Sequence, residues 1–247
     1  MDSAVRRFFP FFWRPPEPTP EQLSRGHVWM LSGIEGASWP LQWAYRGLRD
    51  GGVDAAIRTF AWQMPFVSLA NVVMHARNRR QAAELARGIT AYRAQYPSAP
   101  VDLIGYSGGG GIAIMAAEAL SGDVAVRNII LAQPAISRDY DLTEALHHVE
   151  GHVVNFHSRL DWFILGLGTL VLGTMDRRHS IAAGKGGFDL EQAVPEANLR
   201  AKVEQRPWDR TALRGAGHFG NHLSILRRKW NQQYVAPYLW HNASGGS

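Results

Sequence analysis

Hydrophobic and polar positions along the chain alternate between two rhythms. Short unbroken apolar runs recur at 27–32 ("HVWMLS"), 55–60 ("AAIRTF"), 101–106 ("VDLIGY"), 126–132 ("VRNIILA") and 152–157 ("HVVNFH"). Runs of this length, rich in β-branched residues, predict strands buried on both faces. Stretches of helical spacing lie between them. Residues 40–49 predict a short helix stopped by "DGG" at 50–52. Over 77–96 the positions Ala82, Leu85, Ala86, Ile89 and Tyr92 form a stripe of helical period, closed by Pro97 and Pro100. Residues 108–120 are apolar nearly all round, which suits a helix lying against the middle of a sheet. Helices are also predicted over 141–148, begun by an Asp, and over 222–234. "RTALRG" at 210–215 reads as the last strand.

Strands alternating with helices predict an α/β architecture, a mostly parallel central sheet with helices on both faces, in one domain spanning 26–240. In open sheets of this kind chemistry gathers where loops leave the carboxyl ends of the strands. Candidate residues are therefore sought just after 32, 60, 106, 132, 157 and 215. Residues 1–25 form an arm whose aromatics are expected to pack on the body. The alternative is peripheral membrane contact through 6–14, where Phe8, Phe9, Phe11, Phe12 and Trp13 stand beside Arg6, Arg7 and Arg14. Pro10 interrupts that cluster, which is too short for a signal peptide. "WFILGLGTLVLGTM" at 162–175 falls short of the roughly 18 apolar residues of a spanning helix. The compartment stays open, with the cytoplasm favoured. "HNASGGS" at 241–247 reads as a disordered tail.

Composition narrows the chemistry. Cysteine is absent, which excludes a disulfide framework, a thiolate metal site and a catalytic thiol. The net charge is +5, but the basic residues form only short clusters, not the dense stripe of a nucleic-acid protein. His147 and His148 are neighbours on a helix and point apart, so they and His152 do not predict a metal site. No metal or cofactor is expected.

The most informative stretch is Gly105-Tyr106-Ser107-Gly108-Gly109, a G-x-S-x-G pattern between a predicted strand and a predicted helix. It describes a tight, strained turn with a serine hydroxyl at its tip. Side chains at 105 and 109 would collide with the flanking elements. The helix N-terminus beyond Ser107 offers N–H groups to developing negative charge. With this motif the chain resembles the α/β-hydrolase fold superfamily of serine hydrolases, esterase- and lipase-like members included.

The resemblance implies a triad in the order serine, acid, histidine. Ser107 is the nucleophile. His218 in "GAGHFG", directly after the last predicted strand, is the expected base, with His222 the alternative. Asp161, four residues past a strand, is the expected acid, with Asp139 the alternative and Asp176 and Asp189 more remote. The oxyanion hole is expected from the amides of Gly108 and Ile34, the latter in "LSGIEG", where Ser32-Gly33 replaces the family's frequent His-Gly; Glu35 is the fallback. The long stretch after Asp161, about 163–190, is expected to supply a lid. Trp39, Trp62 and Trp162, and with them Trp43, are candidates for lining an apolar acyl pocket. The implied activity is hydrolysis of ester-type bonds of a moderately apolar small molecule or lipid-like substrate through an acyl-enzyme. Substrate, leaving group and oligomeric state are not legible.

Two other readings stay open on the sequence. "GYSGGGG" also fits the G-x-x-x-G-x-G dinucleotide loop of NAD(P)-dependent short-chain dehydrogenases, with Asp123 near a ribose-binding position. Against it, two predicted strands precede the motif and no Tyr-x-x-x-Lys follows. The third reading is a non-catalytic binding module on the same fold, against which the intact serine, acid and histidine set speaks.

Overall fold

The computed structural model describes residues 13–34, 40–63, 74–161, 174–176 and 181–239. Six strands form one fully parallel sheet: β1 (His27–Leu31), β2 (Ala56–Phe60), β3 (Val101–Tyr106), β4 (Asn128–Ala132), β5 (Val153–His157) and β6 (Val203–Pro207), in spatial order β2-β1-β3-β4-β5-β6. The helices in chain order are α1 (Pro20–Arg25), α2 (Leu41–Asp50), α3 (His75–Gln95), α4 (Gly108–Glu118), α5 (Thr143–His147), α6 (Ala183–Gly186), α7 (Leu190–Ala193) and α8 (Arg210–Ala216). A C-terminal helical run follows, made of Arg228–Trp230, a π-turn at Asn231–Val235 and Ala236–Leu239.

Successive side chains of a strand point to opposite faces, and the core divides accordingly. Leu103, Ile129, Leu131 and Val153 point to the face covered by α3, α4 and α5. Ile104, Ile130, Val154 and Phe156 point to the face covered by α2, α8 and the C-terminal run. Ile129, Ile130 and Leu131 are wholly buried. Each such side chain stabilises the fold by about 1.5–3 kcal/mol, which is why the central strands read as unbroken apolar runs. Trp13, from the arm, packs its ring against Tyr45 of α2, 5.3 Å between centroids. The other arm residues at 6–12 and the tail lie outside the described residues, as does most of the expected lid.

One predicted element is corrected. Residues 210–215 are not a strand; they belong to α8, and the last strand is β6 at 203–207. The Asp209 carboxylate accepts the N–H groups of Thr211 (2.7 Å) and Ala212 (3.1 Å), an N-cap, while Gly217 closes the helix in a left-handed conformation, φ +67°. The apolar residues between those caps therefore follow helical spacing, with Ala212 and Ala216 turned inward. Strand β6 escapes a hydrophobicity reading because it is an edge strand: in "VEQRP" only Val203 is buried.

Candidate active site

Strands β1, β3, β4 and β5 end side by side, and the loops leaving their carboxyl ends carry the candidate groups. The register sets Leu31 opposite Gly105 and Tyr106 opposite Ala132. Strand β3 turns into α4 at Ser107, which has φ 53° and ψ −122°. A non-glycine residue held there costs of order 1–3 kcal/mol. Two bonds clamp the turn: Ser107 N–H donates to Ala132 O (3.1 Å), and Ala135 N–H donates to Ser107 O (3.0 Å). The flanking glycines are required for space. A Cβ on Gly105 would stand 2.5 Å from Gly110 Cα, and one on Gly109 2.5 Å from Leu31 O. Gly110 and Gly111 pack as tightly, on Pro134 and Met175.

Beside the turn, the Ile34 side chain and the Trp62 ring close on Gly108. This brings the loop after β1 alongside the first turn of α4. Trp62 is wholly buried and donates its indole N–H to Ser32 O, 2.9 Å. It is a wall fixed against the loop after β1. Trp43 is 42% exposed. Trp39 and Trp162 lie outside the described residues, as does Glu35.

The expected acid and base lie in the loops after β5 and α8. Asp161, 3% exposed, bonds to a histidine, but that histidine is His222: Oδ2 to Nδ1 is 2.5 Å. The expected Asp161–His218 hydrogen bond is absent. His218 Nδ1 instead lies 2.6 Å from Ser224 Oγ and accepts the backbone N–H of Gly220 (3.3 Å). Both rings are buried, and at His222 the partner fixes the tautomer. A carboxylate is an acceptor, so His222 carries its proton on Nδ1 and leaves Nε2 a lone pair. His218 has no carboxylate partner; the Ser224 hydroxyl beside its Nδ1 also lies 3.1 Å from Asn221 O. Burial pushes the His218 pKa down to about 4, with Arg227 adding to the effect and Asp161 opposing it, so the ring is neutral at pH 7. Of the two, His222 is the one bonded to a carboxylate.

The loop 217–222 is held by alternate carbonyls. Trp208 Nε1 donates to His218 O (2.7 Å), Gln133 Nε2 to Gly220 O (3.2 Å), and Tyr106 Oη to His222 O (3.0 Å). The Tyr106 ring also lies 4.9 Å from the His222 ring, so the residue preceding the serine carries this histidine directly. Gln133, wholly buried with φ 49°, stands just beyond β4 and was not singled out by sequence reasoning. Its signal is weak: a glutamine directly after an apolar strand. The remoter acid Asp176 is bound to Ser137, accepting from its N–H at 3.0 Å and its hydroxyl at 2.6 Å, and Asp189 lies 4.0 Å from Arg138.

No family model matches the chain, and no curated protein matches it in sequence. Solved structures do. It overlays lipase B of Aspergillus fumigatus at a TM-score of 0.56 and 14% identity, over 92% of this chain but 55% of the lipase. An esterase of Pyrococcus furiosus gives 0.51 at 12% identity, over 95% of this chain and 94% of that one. A serine hydrolase without a lid from Xanthomonas campestris gives 0.50 at 14%, over 90% and 85%. The chain has the α/β-hydrolase fold. Within that fold the strained turn at Ser107 stands at the carboxyl end of β3, with the loop after β1 packed against the first turn of α4.

Proposed function

We propose that the protein is a serine hydrolase of ester-type bonds, with Ser107 as nucleophile, His222 as general base and Asp161 as the acid that orients it. The observation carrying this reading is the Asp161–His222 bond beside the strained Ser107 turn, because it leaves His222 Nε2 unprotonated. His222 removes the Ser107 proton as Oγ attacks the carbonyl carbon. The tetrahedral oxyanion is received by the Gly108 amide at the start of α4, with Ile34 from the adjacent loop as the second donor. His222 then protonates the leaving alcohol, the acyl-enzyme forms, and water repeats the cycle to release the acid. The lipase and esterase names among the structural neighbours support an ester of a moderately apolar small molecule or lipid-like compound as substrate.

The dinucleotide-loop reading is disfavoured by packing. A glycine loop that cradles phosphate leaves its backbone open to the ligand. Here Gly105, Gly109, Gly110 and Gly111 all face protein atoms within 3 Å of an added Cβ. A fluorophosphonate probe tests the proposal. Wild type and His218→Ala should label at Ser107, Ser107→Ala not at all, and His222→Ala far more slowly. An unlabelled wild type would overturn the activity; unchanged labelling of His222→Ala would overturn the base.

A further inference from the structure

The loops leaving β1 and β2 start side by side, because the parallel register ends both strands level, with Leu31 opposite Phe60. The second loop turns back on the first at Trp62 and Gln63. Trp62 donates its indole N–H to Ser32 O (2.9 Å). Gln63 adds two bonds from its side chain, Nε2 donating to Ser32 Oγ and to Gly33 O (2.7 Å). A carbonyl only accepts, so the Gly33 bond fixes which end of the Gln63 amide faces the loop. Both amide hydrogens are then engaged with this one dipeptide. Ser32, at 4% exposed, stands where the resembled family often has histidine, and its buried hydroxyl finds its donor in the neighbouring loop.

The far side of the same dipeptide rests on the start of α4. A Cβ on Gly109 would stand 2.6 Å from Ser32 O. One on Gly108 would stand 2.6 Å from Ile34 Cγ2 and 3.2 Å from Trp62 Cζ2. The segment 32–34 is therefore clamped between the Gln63 amide and the first turn of α4. Without Gln63, the Ser32 hydroxyl and the Gly33 carbonyl lose a donor in a buried place, and the loop moves to recover one.

We infer that Gln63 is a positioning residue for the oxyanion loop: its amide sets Ser32 and Gly33 so that the Ile34 backbone stands beside the Gly108 amide. The inference rests on the proposed hydrolase reading, in which those two amides receive the oxyanion. It adds a residue outside the triad, acting through the loop and not on the substrate. Donors of this kind work by being in place before charge develops, so a displaced loop weakens the transition state more than the bound ester.

Gln63→Met keeps the length of the side chain and removes both donors. With p-nitrophenyl butyrate it should lower kcat at least about tenfold and leave KM within about twofold, short of the roughly 10²–10³ lost with a whole oxyanion donor. An alkyl trifluoromethyl ketone supplies the readout that a merely structural role would not move. Ser107 Oγ bonds to its carbonyl carbon, the proton passes to His222, and the C=O π pair becomes an oxyanion in the same place. Its affinity should fall by the same factor as kcat. Ser32→Ala removes one of the two acceptors and should lower kcat about threefold, and Gln63→Met should cost less in that background than in wild type. Ser32→Ala decides the matter if Gln63→Met does not fold. A fluorophosphonate label separates the two claims. An unlabelled wild type removes the hydrolase reading and this inference with it. A labelled, active wild type with kcat unchanged in both variants, a rise in KM in place of the fall in kcat, or ketone affinity untouched while kcat falls would overturn the inference alone.

Discussion

His218 and His222 stand four residues apart on one loop, both buried and both neighbours of aromatic rings, yet their surroundings prepare them for opposite chemistry. His222 meets a carboxylate, which accepts the Nδ1–H hydrogen bond and leaves Nε2 with its lone pair. His218 meets the Ser224 hydroxyl and the Gly220 N–H, with no carboxylate beside it. In the proposed mechanism a carboxylate partner decides which imidazole is the base. Position after a strand and flanking glycines do not.

The largest expected effect separates the two rings directly. Ser107→Ala and His222→Ala should each lower kcat toward an ester such as p-nitrophenyl butyrate by up to about 10⁶, the scale of losing a nucleophile or base from such a unit. His218→Ala should stay within about tenfold of wild type. Equal losses from the two histidine variants would erase the distinction. Next in size is Asp161→Asn, expected to cost about 10⁴ in kcat because the amide reverses the donor pattern at His222 Nδ1. Asp139→Asn should leave kcat within a few-fold; the opposite ranking would move the acid.

A third measurement uses pH. Burial lowers the folded-state pKa of His218 from 6.5 to about 4, so below 6.5 the unfolded chain binds the proton more readily. The stability of the neutral ring is complete above about 6.5 and is lost as pH falls toward 4, by about 3 kcal/mol in all. His27, at the amino end of β1 and pushed down to about 3 by burial and then by Arg58, adds a loss of the same sign. Urea unfolding at pH 7 and pH 4 should therefore show a smaller difference for His218→Gln than for wild type. An identical difference would mean that the ring is more accessible to protons than its 3% exposure implies.

These contrasts explain what could be read from the sequence. The bend at Ser107 was legible because close packing forces glycine at 105 and 109, and glycine is visible in one dimension. Asp161 was singled out by its place after a buried apolar strand, and the structure pairs it with His222. The sequence favoured His218 over His222 as base on the glycines of "GAGHFG", and in the structure those glycines have other uses. Gly217 ends α8 in a left-handed conformation, and Gly220, with φ +80°, lets the chain pass Leu160 and Ser158. A better signal was Asn221, whose side chain accepts the Ser224 N–H at 2.9 Å and so starts the next helical turn with His222 at its mouth. Which histidine turns toward Asp161 is a rotamer choice made by the packing of Tyr106, Trp208 and Trp230, residues far apart in sequence. The 210–215 segment failed for a related reason: its Asp209 and Gly217 caps outweigh a local apolar run.

The smallest effect concerns how firmly His222 is held. Tyr106→Phe removes only the hydroxyl that donates to His222 O and keeps the ring beside the imidazole. Losing one buried hydrogen bond of this kind costs about 1 kcal/mol of stability, more if the carbonyl finds no water. The change in rate should exceed that in proportion, because the carbonyl belongs to the residue whose Nε2 meets the serine hydroxyl in the proposed mechanism. Small displacements of a general base are felt chiefly in kcat. The expectation is a fall in kcat of about tenfold with KM nearly unchanged, and a midpoint in urea only slightly lowered. Gln133→Leu, which releases Gly220 O two residues earlier, should act in the same sense but more weakly on rate. If Tyr106→Phe lowers stability and leaves kcat untouched, the hydroxyl serves the fold alone, and the Asp161 carboxylate is sufficient to set the His222 ring by itself.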